Sequence, residues 1–138
     1  MKTDLLTLME NIKRKNPANV DEIKYVAKAL SINFPEDYFD WLLLSDGGSG
    51  FVGEDSYLLL WSLEQILSFN ASFRKLEIHI PTLVMFGSDG GESRYAYDTQ
   101  LASLPVVEFY LESLDTKSVK LVGENFSDFL RNLSQRKF

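Results

Sequence analysis

The sequence predicts an α+β fold: a mainly antiparallel sheet of about five or six strands, packed by N-terminal, inserted and C-terminal helices. Three observations predict it. Up to about residue 45, apolar residues recur at three- and four-residue steps, the period of an amphipathic helix. From Gly50 onward, short apolar runs alternate with glycine- and serine-containing breaks, which is the pattern of strands and turns. The late runs are joined by links of hairpin length, which favours antiparallel pairing. At 138 residues the chain has the size of one domain, so residues 1–138 read as a single unit.

The first element is "TDLLTLMENIKRK". Leu5, Leu8, Met9 and Ile12 fall on one helical face, Thr3 stands where a cap would be, and Lys13-Arg14-Lys15 would meet the negative end of the helix dipole. "NPAN" breaks it. "VDEIKYVAKAL" repeats the period with Ile23, Val26, Ala27 and Leu30. "NFPEDYFDWLLLSDGG" is the clearest helix. Pro35 suits a first turn, Glu36 and Asp37 favour the positive end, and Tyr38, Trp41, Leu42 and Ser45 share a face. Asp46-Gly47-Gly48 stops it, because glycine accepts the left-handed conformation found past a helix end.

"GFV" and "YLLLW" then read as short buried strands. "SLEQILSFN" reads as a helix opened by a Ser62–Gln65 capping box. "LEIHIP" has the alternation of a strand, with Ile78 and Ile80 opposite His79. "PTLVMFG" and "SRYAYD" flank "SDGGE". Here Gly87, Gly90 and Gly91 are the residues that a tight or bulged hairpin needs, and Tyr95 and Tyr97 alternate with Arg94, Ala96 and Asp98. "PVVEFYLES" and "KSVKLVG" are two further strands. "NFSDFLRNL", capped by Asn125 or Ser127, closes the chain as a helix.

Composition removes most chemistries. There are no cysteines and one histidine, so thiol catalysis, disulfides and the usual zinc ligand sets are absent. A Ser-His-Asp triad would have to run through His79, and no serine sits in a nucleophile elbow. "GGSGFVG" lacks the Lys-Ser/Thr ending of a phosphate loop. No apolar run nears the roughly 18–20 residues of a membrane span, and the N-terminus lacks the layout of a secretory signal; the reading is a soluble, cytoplasmic protein. The net charge is −6. From Lys28 to Arg74 no base interrupts Glu36, Asp37, Asp40, Asp46, Glu54, Asp55 and Glu64. Such a field repels nucleic acid and attracts basic partners, and Arg131, Arg136 and Lys137 are too few to reverse it. No cofactor is expected. The carboxylates Asp89, Glu92 and Asp98 leave open a divalent-ion or hydrolase role, although their spacing does not match an EF-hand loop.

Several segments in order resemble the SUKH superfamily, which includes bacterial immunity proteins and a fungal cell-wall synthesis regulator. They are "FPEDYFDWLLLSDGGSGFVG", "LLLWSLEQI", "LVMFGSDGGESRYAYD" and "VGENFSDFLRNL", covering about residues 20–135. Trp61, Gly47, Gly48, Gly87, Gly90 and Gly91 are the motif residues in that match. The resemblance implies a binding module and no enzyme: an antidote that neutralises a cognate protein toxin, often a nuclease. The alternative is a regulatory or scaffolding domain, as in the fungal branch. A basic nuclease would be met by acids near the turns. Asp46, Glu54, Asp55, Asp89 and Glu92 are the expected contacts, with Phe51 or Tyr57 as apolar anchors. Trp61 is expected in the core.

Overall fold

The computed structural model describes residues 1–115 and 117–136; Lys137 lies outside them. Its centre is a six-stranded antiparallel sheet whose spatial order is the chain order, β1 to β6. The strands are β1 (Gly48–Val52), β2 (Ser56–Leu60), β3 (Leu83–Ser88), β4 (Ser93–Asp98), β5 (Val106–Tyr110) and β6 (Lys120–Gly123). Three helices precede the sheet: α1 (Thr3–Leu8), α2 (Val20–Leu30) and α3 (Glu36–Leu44). α4 (Leu63–Arg74) is inserted between β2 and β3, and α5 (Phe126–Gln135) ends the described chain. The predicted α+β class, an antiparallel sheet with N-terminal, inserted and C-terminal helices, is thus the one observed.

The caps explain several boundaries. Asn19 accepts the Glu22 amide ahead of α2. Ser62 and Gln65 complete the reciprocal capping box of α4, and Asn125, not Ser127, accepts the Asp128 amide that opens α5. Other expectations need correction. α1 ends at Leu8, and Thr3 lies within it without capping it. Met9 and Ile12 are buried as the period requires, but the chain bends there so that Lys13 can pair with Ser49 on the outer edge of β1. The basic run therefore does not end a helix; Arg14 lies over the Trp41 ring instead. "LEIHIP" is not a strand: His79 Nδ1 contacts the Leu76 carbonyl in the segment after α4.

The core lies on both faces of β3 and β4. On one face Tyr38 of α3 meets Phe86, Tyr97 and Phe126 edge-on at 5.3–5.7 Å. Phe86 stacks on Tyr97 at 4.4 Å, and Phe129 of α5 covers Phe86 and Tyr95. On the other, Phe73 of α4 meets Phe109 of β5. Ring pairs of this kind add roughly 0.5–1.5 kcal/mol each beyond area burial. Trp41 is fully buried and donates to the Gly47 carbonyl at 3.1 Å. That carbonyl is presented by a corner in which Gly47 and Gly48 both have positive φ, a conformation that glycine adopts without steric cost.

β2 pairs with β3 at Leu59–Ser88 and Leu60–Gly87, and the Trp61 N–H donates to the Phe86 carbonyl at 3.1 Å. Beyond that point α4 takes the place of a strand. Asn70, fully buried, accepts the Met85 N–H at 2.9 Å and donates to the Met85 carbonyl at 2.9 Å. One side chain thereby satisfies both backbone groups of an otherwise open strand edge.

Candidate functional site

In a sheet whose strands follow chain order, alternate links fall at the same end. The β1–β2, β3–β4 and β5–β6 links therefore share one end, and the α4 insertion and the β4–β5 link share the other. The shared end carries Glu54, Asp55, Asp89, Glu92, Glu112 and Asp115, against Lys117 as the one base within those links. The β4–β5 link, residues 99–105, has no charged residue. The fold thus gathers acids from three distant stretches at one pole.

Four of the five expected contact acids are there. Asp55 and Asp89 line one cleft of about 270 Å³, together with Tyr57, Tyr110, Glu108 and Arg136. Glu54 lies at the neighbouring surface against the end of α5. Glu92 faces a separate cleft with Arg94, Tyr110 and Glu112. Asp46 is not with them. It sits after α3, at the opposite pole, where its Oδ1 accepts the Leu63 amide at 2.8 Å and helps to start α4. The acids of the base-free interval are likewise divided: Glu36, Asp37 and Asp40 line a cleft beside α1.

The cleft acids are held by their turns. Asp89 Oδ1 accepts the amides of Gly91 at 2.8 Å and Ser93 at 3.2 Å. This is an Asx-type turn, which the chain uses to reverse between β3 and β4. Gly90 has φ 86° and its missing Cβ would press on the Tyr57 ring at 3.1 Å. Gly91 has no positive φ, so only one of the two glycines is required by conformation. The β1–β2 turn is tied down by Ser56 Oγ, which donates to the Leu133 carbonyl at 2.6 Å. Glu108 pairs with Arg136 at 3.1 Å. Burial, with Glu108 adding to it, holds the Tyr95 hydroxyl far above the usual phenol range. Phe51 and Tyr57 are exposed and meet edge-on at 5.3 Å, and Tyr110 is exposed at the end of β5. Aromatic side chains are enriched at the cores of protein interfaces, whose rims are polar.

Asp89 and Asp98 stand near opposite ends of β4, and Asp98 Oδ1 caps its own turn at Gln100. Among the described residues no group of three or more His, Asp and Glu side chains is placed to hold a metal ion. Among the described residues no helix is long and apolar enough to cross a membrane.

Glu108, Tyr110, Arg94 and Arg136 were not anticipated from the sequence. The signal for the first two is strand register: Tyr95 pairs with Glu108, and Ser93 with Tyr110. On the other side of the β3–β4 hairpin, Trp61, Phe69, Leu59, Leu111 and Arg94 line a groove of about 460 Å³. Trp61 is 5% exposed and packs edge-on against Phe69 at 4.7 Å. It is a core residue, as expected, with one edge at the groove wall.

Residues 17–132 match the model of the SMI1 / KNR4 family (SUKH-1). No curated protein matches the chain.

Proposed function

The chain belongs to the SMI1 / KNR4 family (SUKH-1), whose members are generally non-enzymatic immunity or regulatory proteins, and from that premise we propose that it is a toxin-neutralising immunity protein. It binds a cognate protein toxin in the cytoplasm of the producing cell, and the partner is a basic protein of the nuclease type. The observation that carries this reading is the clustering of Glu54, Asp55, Asp89, Glu92, Glu112 and Asp115 on links that share one end of the sheet. A nuclease surface is positive because it holds phosphate. An acidic surface of this kind raises the encounter rate with such a partner and covers its substrate path. Phe51, Tyr57 and Tyr110 supply the apolar contacts that charge alone lacks. Asp46, spent on the α4 amide, has a structural role in this reading.

The test is to co-express the chain with the product of a neighbouring toxin-like gene, and to measure the association rate. Rescue of growth and a complex in solution are expected. Asp55→Lys with Glu92→Lys should slow association at least tenfold and flatten its salt dependence, while Asp89→Asn, which keeps the turn acceptor, should have a smaller effect. No complex and no rescue would overturn the immunity reading. A complex with an endogenous, non-toxic protein would favour the regulatory branch of the family.

A further inference from the structure

The groove beside α4 borders the acidic pole at Gly90, Gly91 and Leu111, and the reading above does not use it. Its walls are apolar: Leu59, Trp61, Phe69, Leu76 and Leu111. Phe69 and Leu76 are exposed in spite of their size. Its volume, about 460 Å³, lies within the roughly 300–1,000 Å³ of small-molecule sites, which combine apolar walls with a few placed polar groups.

One charged group stands in that wall. Arg94 is half-buried, and its Nη1 donates to the carbonyls of Gly91 at 2.8 Å and Ser93 at 3.2 Å. The hairpin therefore fixes the guanidinium in place before any ligand arrives. Among the described residues no carboxylate comes within salt-bridge distance of it. Glu92 and Glu112 line the adjoining cleft on its other flank, close enough to shape the field but not paired with it. A guanidinium held by two neutral carbonyls keeps its remaining N–H donors available for an anion, and its planar fork suits a carboxylate.

We infer that this groove is a binding site for a small amphipathic monocarboxylate, whose apolar body lies along Trp61 and Phe69 and whose carboxylate meets Arg94. The match is one of charge and polarity together: one fixed cation at the edge of an apolar trough. A neutral molecule would leave Arg94 unpaired, and a cation would be repelled by it. Preorganisation limits the ordering cost on binding.

The probes are octanoate, octylamine and octanol, added to the isotopically labelled full chain and followed by two-dimensional NMR. Octanoate is expected to shift the signals of the Trp61 indole, Phe69, Gly90, Gly91 and Arg94 saturably, and to leave the fully buried Trp41 indole unmoved. Arg94→Gln should weaken octanoate about 10- to 100-fold, the range for losing a charge-assisted bond, without changing octanol binding. Glu92→Gln should strengthen octanoate. Ser72→Phe, on the exposed groove-facing side of α4, should block all three probes. Equal affinity for octanoate and octylamine, an unchanged Arg94→Gln variant, or no saturable shifts would each overturn the assignment. None of these outcomes depends on whether a toxin is bound, so the failure of either proposal is visible without the other.

Discussion

Asn70→Ala tests whether α4 truly substitutes for a strand. Asn70 is fully buried and bonds both polar groups of Met85 as well as the Ile66 carbonyl. Alanine keeps the helix and removes the three side-chain bonds. The Ile66 carbonyl still has its helical partner, so the loss falls on the Met85 N–H and C=O. Each buried group left unpaired costs about 1–3 kcal/mol, giving about 2–6 kcal/mol in all. That is a large part of the roughly 5–15 kcal/mol by which a typical domain is stable. Urea denaturation monitored by tryptophan fluorescence would measure it. The Tm should fall by roughly 6–18 °C, at about 3 °C per kcal/mol for a chain of this size. A loss below about 1 kcal/mol would refute the reasoning.

Asn70→Asp sharpens the same test. It keeps an acceptor for the Met85 N–H, but when ionised it sets a buried negative charge against two carbonyl oxygens. Burial and those carbonyls raise its folded pKa, so its neutral form is favoured by folding. Its contribution is therefore fully present below the unfolded carboxylate value of about 3.9 and is lost as pH rises through the higher folded value. The variant should lie closer to wild type at pH 4 than at pH 8. A gap that does not change with pH would show that Asn70 is not acting through its amide donor.

Other outcomes follow from the same structure. Tyr38 and Tyr97 have buried hydroxyls without a hydrogen-bond partner among the described residues. Tyr38→Phe or Tyr97→Phe should be neutral or stabilise by about 1 kcal/mol in a denaturant titration. Burial holds both hydroxyls far above the usual phenol range, so in a spectrophotometric titration their ionisation should coincide with alkaline unfolding. Desolvation raises the Asp37 carboxyl above its ordinary 3.8. Its contribution to stability is full below that unfolded value and lost as pH rises through the folded one. Wild type should thus gain on Asp37→Asn as pH falls toward 4, read by parallel melts. Gly90→Ala should cost about 1–2 kcal/mol, since its φ of 86° is left-handed and the Tyr57 ring is close. Gly91→Ala, whose Cβ would meet only Asp89 Oδ1 at 3.4 Å, should be nearly silent by calorimetry.

What could be read from the sequence was what depends on near neighbours. The α2 boundaries, the capping box of α4, the limits of β4 and the Asn125 cap all rest on residues within a few positions of one another. What could not be read depends on distant ones. The helix expected through Lys15 stops early because Lys13 is taken by Ser49, a partner 36 positions on. α4 was expected to end at Asn70, a poor helix former, yet it continues to Arg74. Met85 on another strand, not local propensity, decides that residue. The site divides the same way. Turn acids were visible as turn acids, but Asp55 and Asp89 meet only through the β2–β3 register. Asp46 had the same local appearance and is occupied by the Leu63 amide. Arg94 gave no signal, because its meaning depends on the apolar groove that α4 forms beside it.

The strand order has a consequence for how such a protein can change. Because neighbours in the chain are neighbours in the sheet, the three links at the acidic pole can alter in length or sequence without rewiring a single ladder. The aromatic layer, the Asn70 bracket and the Gly47 corner hold the scaffold from elsewhere. On the proposed reading, what the pole binds can change with little risk of unfolding, provided that turn anchors such as Asp89 and Gly90 are kept. If the pole is the interface proposed above, one framework follows a changing partner by rewriting residues in these three links.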